Sequence, residues 1–323
     1  MPVTFLMLPP QSDKTREWGK RVAEACPELD VIVVETSEGA EQAITLAEGA
    51  FGTIPPDLLP RAQKLRWLQA PQAAPPAGYY YRELIEHPVA ITNFREIYND
   101  HIGAHVMAFV LAFARGLHVY LPQQLRREWR PAGRESGDVV HLPEATALVV
   151  GVGGIGSEVA RLAAAFGMRV IGIDERRQDM PPGVVELHRA AALDSLLPCA
   201  DFVILTVPHT PETEGFMNRA RFRQMKRSAF FINIGRGMTT KLDDLADAVE
   251  AGEIAGAALD VYEIEPLPAD HRLWAMPNVL LTPHTAGHGP YLDDRRLEIV
   301  IDNCRRFAAG RELRNVVDKS RWF

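Results

Sequence analysis

Residues 146–174 read TALVVGVGGIGSEVARLAAAFGMRVIGID. The apolar run over 146–150 has the length and composition of a buried strand. Gly151, Gly153 and Gly156 then fit Gly-x-Gly-x-x-Gly. Gly154 and Ile155 open a helix with Val159, Leu162, Ala163 and Phe166 on one face, and Gly167 stops it. A second strand over 169–173 ends at Asp174, 23 residues after Gly151. A lone glycine hexamer says little, because a strand-to-helix turn without a ligand looks the same. Strand, helix and a carboxylate at this distance together make the dinucleotide fingerprint. Gly151 permits the tight turn, Gly153 lets the backbone approach a pyrophosphate, and Gly156 lets helix and strand pack closely. The helix N-terminus offers amide donors and a positive dipole to the phosphates. A carboxylate at Asp174 accepts hydrogen bonds from both ribose hydroxyls and repels a 2′-phosphate, so NAD is the expected cofactor. Arg176 and Arg177 follow it; they read as a solvent-facing pair, or as a route to NADP if Asp174 turned away.

Outward from this stretch, further strands are expected over 202–207, 229–234, 255–261 and 279–282, with helical segments between most of them. Six such strands make a doubly wound Rossmann sheet. The N-terminal part repeats the alternation: strands over 3–8, 31–34, 65–70 and 89–93, and helices over 17–26 and about 39–49. Strand and helix in turn imply parallel βαβ units. A long helix from Asn99 or Asp100 to Arg115 is apolar nearly all round, as a helix buried between domains or subunits would be. Residues 122–143, with Arg126, Arg127, Arg130, Arg134 and Trp129, read as an extended arm or a solvated loop. A last helix over about 291–309 places Leu297, Val300, Ile301, Cys304 and Phe307 on one face.

The chain has 323 residues, enough for two domains. Hydrophobic residues at 47% and charged residues at 24% argue against wholesale disorder. A net charge of −7 favours neither nucleic acid nor an anionic membrane as partner. The apolar stretch over 102–114 is too short to span a bilayer, and the N-terminus lacks a basic leader region. Cys26, Cys199 and Cys304 lie far apart, with no metal-ligand spacing. No metal site is expected, and three reduced thiols fit a cytoplasmic protein.

Three residues at or near the ends of late strands carry chemical potential: Arg236, Glu265 and His284. Ligands of open α/β sheets lie at the carboxyl ends of the strands. The residue types suit hydride transfer to a 2-keto acid. An arginine fork binds the carboxylate and polarises the carbonyl. Histidine protonates the alkoxide near neutral pH. A carboxylate beside it fixes the ring and favours its protonated form. Each alone has a blander reading: a loop arginine, a solvated acid, a histidine satisfied by backbone. The three together, after a dinucleotide fingerprint, favour catalysis.

The ordered motifs GVGGIG (151–156), PHTPET (208–213), NIGRG (233–237), DVYEIEPLP (260–268) and PNVLLTPHTAG (277–287) resemble those of the D-isomer-specific 2-hydroxyacid dehydrogenases. The resemblance runs from about residue 65 to the C-terminus. It implies an NAD-dependent dehydrogenase or 2-keto acid reductase, with Arg236 on the substrate, Glu265 supporting His284, and His284 as acid/base. It extends the cofactor site to Thr206, Val207, Pro208, Ile234, Gly235, Asp260, His284 and Gly287, and leaves His209 without chemistry. It implies a Rossmann cofactor domain, 100–287, inserted into a flavodoxin-like substrate domain, 1–99 plus 288–323. It also implies a homodimer built on the long helix and the arm.

The family's substrate-carboxylate loop corresponds to residues 72–78, with amides of Ala73 and Ala74 as candidate donors. Here Pro75 removes a donor, because proline has no amide proton. Arg236 must then carry more of the anchoring. One of Tyr79, Tyr80 and Tyr81 is expected to wall the pocket and two to pack. The departure keeps two alternatives open: a formate or phosphite dehydrogenase on the same fold, or an NAD-sensing protein of the corepressor type.

Overall fold

The computed structural model describes residues 2–73, 78–131 and 139–320. They divide into two compact units, Met1–Ile97 with Pro290–Phe323, and Tyr98–Gly289.

In the first unit, β1 (Val3–Met7), β2 (Leu29–Val33), β3 (Gly49–Phe51), β4 (Trp67–Gln69) and β5 (Ala90–Thr92) form a parallel sheet in the order β2-β1-β3-β4-β5. This is the flavodoxin-like order. Phe5, Leu6, Met7, Trp67 and Leu68 are fully buried, as expected of parallel strands covered on both faces. α1 (Asp13–Ala25) begins a turn earlier than its apolar face predicts. The Ser12 side chain accepts from the Thr15 amide, and Thr15 Oγ1 accepts from the Ser12 amide, a reciprocal cap. α2 (Ser37–Ala43), capped by Thr36, is shorter than expected. Its alanines suggest one helix as far as Gly49, yet Gly49–Phe51 is a strand at the centre of the sheet. A five-residue helix, α3 (Arg82–Glu86), precedes β5.

The second unit opens with α4 (Asn99–Ala114). Its N-cap is Tyr98, and no side chain caps it, so neither Asn99 nor Asp100 has the expected role. α5 (Leu117–Leu125) follows and continues through Pro122, where an arm was expected to start. Arg126 and Arg130 then pair with Glu128, whereas Arg134 lies outside the described residues. The sheet comprises β6 (Thr146–Val150), β7 (Arg169–Ile173), β8 (Val184–His188), β9 (Phe202–Leu205), β10 (Phe230–Asn233), β11 (Gly256–Leu259) and β12 (Val279–Leu281). Its order, β12-β11-β10-β9-β6-β7-β8, is the Rossmann order with one strand added beyond β11. The expected six strands are thus seven. β8 escaped notice because it is an edge strand whose only buried residue is Val184.

Side chains alternate across this sheet. Leu148, Val150, Val203, Leu205 and Phe231 enter one core with Leu245 and Val249 of α9 (Leu242–Glu250). Ala147, Val149, Phe202 and Ile204 enter another with α4 and α6 (Gly154–Ala165). Two short helices, α7 (Leu193–Leu196) and α8 (Arg219–Phe222), complete the unit. The chain returns to the first unit as α10 (Leu292–Ala308), which buries Leu297, Val300, Cys304 and Phe307 and leaves Ile301 half-buried. Among the described residues no single helix is long and apolar enough to cross a membrane.

Candidate active site

The β6–α6 turn has the form that a dinucleotide requires. Gly151 has φ +92°, and its amide donates to the Ile173 carbonyl at 2.7 Å. A Cβ on Gly156 would lie 1.9 Å from the Gly151 carbonyl oxygen, so helix and turn meet there with no room for a side chain. A Cβ on Gly153 would meet nothing within 4 Å. That open approach, beside the free amides at the start of α6, fits a pyrophosphate. Thr206, after β9, donates from its hydroxyl to the carbonyls of Val150 and Gly151, which braces the turn. Val207 packs against the core beneath, and the Pro208 carbonyl accepts from Thr213 Oγ1 at 2.7 Å.

Asp174 stands just past β7. Oδ2 accepts the Val152 amide at 2.9 Å, and Oδ1 accepts the amides of Arg176 and Arg177, each at 2.9 Å. The carboxylate is therefore fixed beside the glycine turn. Arg177 does not simply face solvent as a free side chain. Its guanidinium donates to the Val152 carbonyl at 2.8 Å and to Ser157 Oγ at 2.6 Å, and pairs with Asp179.

Arg236, Glu265 and His284 follow three adjacent strands, β10, β11 and β12. Glu265 Oε2 lies 2.7 Å from His284 Nδ1, and Glu265 Oε1 accepts the Tyr262 amide at 3.0 Å. The carboxylate is thus anchored on one side and holds the imidazole on the other. His284 Nε2 is left for a reacting group, and the side chain is half-exposed. Arg236 follows Ile234 and Gly235 on a tight turn. Buried Asn233 shapes that turn: Oδ1 accepts the Gly235 amide at 2.9 Å, and Nδ2 donates to the Arg236 carbonyl at 3.2 Å and to Thr240 Oγ1 at 2.9 Å. The surrounding protein pushes the Arg236 pKa below its ordinary value, and the charge of Glu265 pulls it back up. The side chain still reaches solvent, and arginine stays charged in either setting.

Asp260 is 1% exposed. It accepts from Thr282 Oγ1 at 2.6 Å, from the Thr285 amide at 2.8 Å and from the Ala286 amide at 2.9 Å. In this structure it secures the loop that carries His284. Tyr262 adds a second tie, donating from its hydroxyl to the carbonyls of Leu259 and Thr282. Asn233, Tyr262 and Thr282 stand within the motifs quoted above, but sequence reading gave them no role. Gly287 sits by the Tyr98 ring, and His209 is exposed, 3.6 Å from Glu214.

In the first unit, the Ala73 carbonyl accepts from Asn93 Nδ2 at 2.9 Å. Ala74, Pro75, Pro76 and Ala77 lie outside the described residues. All three tyrosines pack on the apolar core. The Tyr79 and Tyr81 hydroxyls donate to the carbonyls of Gly52 and Ile54, both at 3.0 Å, while the buried Tyr80 hydroxyl has no partner among the described residues. Burial pushes the pKa values of Tyr80 and Tyr81 up to about 12.

A glycine turn at the switch point of a doubly wound sheet, with a paired histidine and an arginine at neighbouring strand ends, defines a nicotinamide-nucleotide dehydrogenase. The model of the D-isomer specific 2-hydroxyacid dehydrogenase NAD-binding domain matches residues 107–286, and the chain belongs to that family. It is a dehydrogenase acting on CH–OH donors. It is 32% identical over 296 residues to a glyoxylate/hydroxypyruvate reductase B from Citrobacter koseri, covering 88% of each chain. It is 34% identical over 245 residues to a glyoxylate reductase from Korarchaeum cryptofilum, covering 74% of this chain and 72% of that one. Among solved structures, a D-isomer specific 2-hydroxyacid dehydrogenase from Xanthobacter autotrophicus in complex with NADPH and MES superimposes with a TM-score of 0.83 at 28% identity, covering all of both chains. An NADPH-dependent glyoxylate/hydroxypyruvate reductase from Sinorhizobium meliloti, in complex with NADP and sulfate, gives 0.79 at 28%, covering 99% of this chain and 100% of that one.

Proposed function

We propose that the protein is an NAD(H)-dependent D-2-hydroxyacid dehydrogenase that reduces small 2-keto acids. The observation that carries this reading is the 2.7 Å contact between Glu265 and His284, at a strand end neighbouring that of Arg236. The bound nicotinamide supplies or accepts the hydride. Arg236 binds the substrate carboxylate and polarises the keto group through its planar fork. His284 Nε2 gives its proton to the oxygen that becomes the hydroxyl, and takes it back in the reverse direction. Glu265 holds the ring in place through Nδ1 and stabilises the charge it carries. Gly151 to Gly156, Asp174, Thr206 to Pro208, Ile234, Gly235, Asp260 and Gly287 form the cofactor side. Asp174, held by three amides, supports NAD over NADP, although the two similar structures above hold the phosphorylated cofactor.

The first unit takes the role of substrate-binding domain, with Ala73 and Ala74 as candidate contacts, and the second that of cofactor domain. A homodimer is supported by the apolar surface of α5 and the segment after it, where Leu125 is 85% and Trp129 is 94% exposed. Three unpaired cysteines agree with a cytoplasmic location.

The test is NADH oxidation with glyoxylate, hydroxypyruvate, pyruvate and bulkier 2-keto acids. Turnover on at least one is expected, with KM for the smallest acids near ~1 mM, the top of the usual range, because Pro75 lacks an amide proton. Oxidation of formate or phosphite without reduction of any keto acid would replace this reading. Cofactor binding without turnover would point instead to the corepressor type.

A further inference from the structure

His105 lies nearly two turns into α4, with its side chain 22% exposed and its ring edge-on to Phe109, centroids 4.7 Å apart. Its Nε2 is 3.0 Å from Thr282 Oγ1 and 3.9 Å from Asp260 Oδ1. The second distance is too long for a hydrogen bond, so any link to Asp260 runs through the threonine. Proton bookkeeping fixes its direction. Asp260, holding two backbone amides, is an acceptor, so Thr282 gives it the single hydroxyl proton across 2.6 Å. Thr282 Oγ1 can then only accept from His105. The ring is therefore protonated on Nε2, and the chain of donors runs His105 to Thr282 to Asp260. Burial pushes the His105 pKa down, opposed by Asp260.

The receiving end of this chain is the backbone around His284. Thr282 stands two residues before it, and the amides that Asp260 accepts belong to Thr285 and Ala286, immediately after it. His284 itself has φ +54°, a left-handed conformation that a histidine holds only when its surroundings over-determine it. The His284 amide also bonds to the Thr282 carbonyl at 3.0 Å.

We propose that His105 is a positioning residue for the acid/base histidine: its Nε2–H donation locks Thr282 onto Asp260, and that lock sets the loop on which His284 meets Glu265. Nothing in the motifs marks His105, because it sits on the apolar helix α4 rather than at a strand end. The proposal rests on the reading of His284 given above.

The test uses the NADH-loaded enzyme and its best keto acid. His105→Leu removes the donor; His105→Gln keeps an N–H near the place of Nε2. His105→Leu is expected to lower kcat roughly tenfold, a modest share of what an ångström of misplacement can cost. KM for the keto acid and for NADH should stay within about twofold, since the role proposed for His105 is to set the His284 loop and not to bind either ligand. His105→Gln should recover most of the loss. In a His284→Ala background, His105→Leu should cost nothing more, because residues that act as a unit are not additive. Thr282→Val cuts the same relay from its other side and should reproduce the kcat loss, so the test survives if His105→Leu fails to fold. Unchanged kcat in His105→Leu, equal losses in Leu and Gln, or losses that multiply in the His284→Ala background each overturn the proposal and leave the role of His284 standing. Undiminished turnover in His284→Ala alone overturns that role, and this proposal with it.

Discussion

His284 is the residue on which the proposed chemistry turns. It was readable because histidine, two residues past a strand and following proline, stands in a motif of fixed order. Its partner Glu265 lies 19 positions earlier, and only the neighbouring strands bring them to 2.7 Å. Replacing His284 with Ala should cut turnover by roughly 10²- to 10⁴-fold, the scale of a lost general acid. NADH affinity, measured by fluorescence titration, should barely move. Near-normal turnover would remove His284 from the mechanism. The polar residues that hold this site were not readable. Asn233 and Tyr262 act by bonding to backbone atoms of loops and Thr282 by bonding to the Asp260 carboxylate, and such bonds leave no spacing in the sequence.

At the scale of elements, the strand–turn–helix–strand run from β6 to β7 was legible to the residue, since strong periodicity and glycine punctuation agree there. β3 and β8 were not. The first is three small or aromatic residues after an alanine-rich helix, and the second is an edge strand with one buried residue. The end of β7 carries a prediction about cofactor choice. Asp174 is held toward the turn by the Val152 amide, and Arg177 is committed to Val152 and Ser157. NADH should therefore show the higher kcat/KM, and Asp174→Ala should swing the ratio toward NADPH. An unmodified enzyme that prefers NADPH would refute this and direct attention to Arg176. The α5 surface carries another. Leu125→Glu combined with Trp129→Glu should convert a dimer to monomer in sedimentation velocity, and a wild-type monomer would refute the assignment.

Over the whole molecule, three partly buried histidines act in the same direction. Burial pushes the pKa values of His87, His105 and His118 down; Lys319 adds to this at His87, whereas Asp260 opposes it at His105 and the Ala112 backbone at His118. The unfolded chain then binds more protons than the folded one as pH falls below about 6.5, the ordinary histidine value. Their contribution is complete above that pH and is lost as pH falls through the lowered folded values. Tm should thus decline from pH 7.5 to 5.5, before most carboxylates titrate. His118 packs against Phe113 and Phe230, and its buried Nδ1 has no side-chain partner among the described residues. His118→Phe should flatten the decline. A Tm unchanged across this range in the wild type would contradict the argument.

By itself the sequence determined the βαβ alternation of two doubly wound domains, the dinucleotide turn and the types of residue available for chemistry. Each of these rests on local physics: apolar periodicity, the space glycine leaves, and the acid–base character of a side chain. Tertiary structure alone decided which polar groups meet. The Glu265–His284 pair, the amides gathered by Asp260 and the link from α4 to Thr282 join residues 19 to 177 positions apart. Sheet order sets such contacts. A strand's amino acids record that it is buried, but its neighbours are chosen by how the whole sheet packs between its helices.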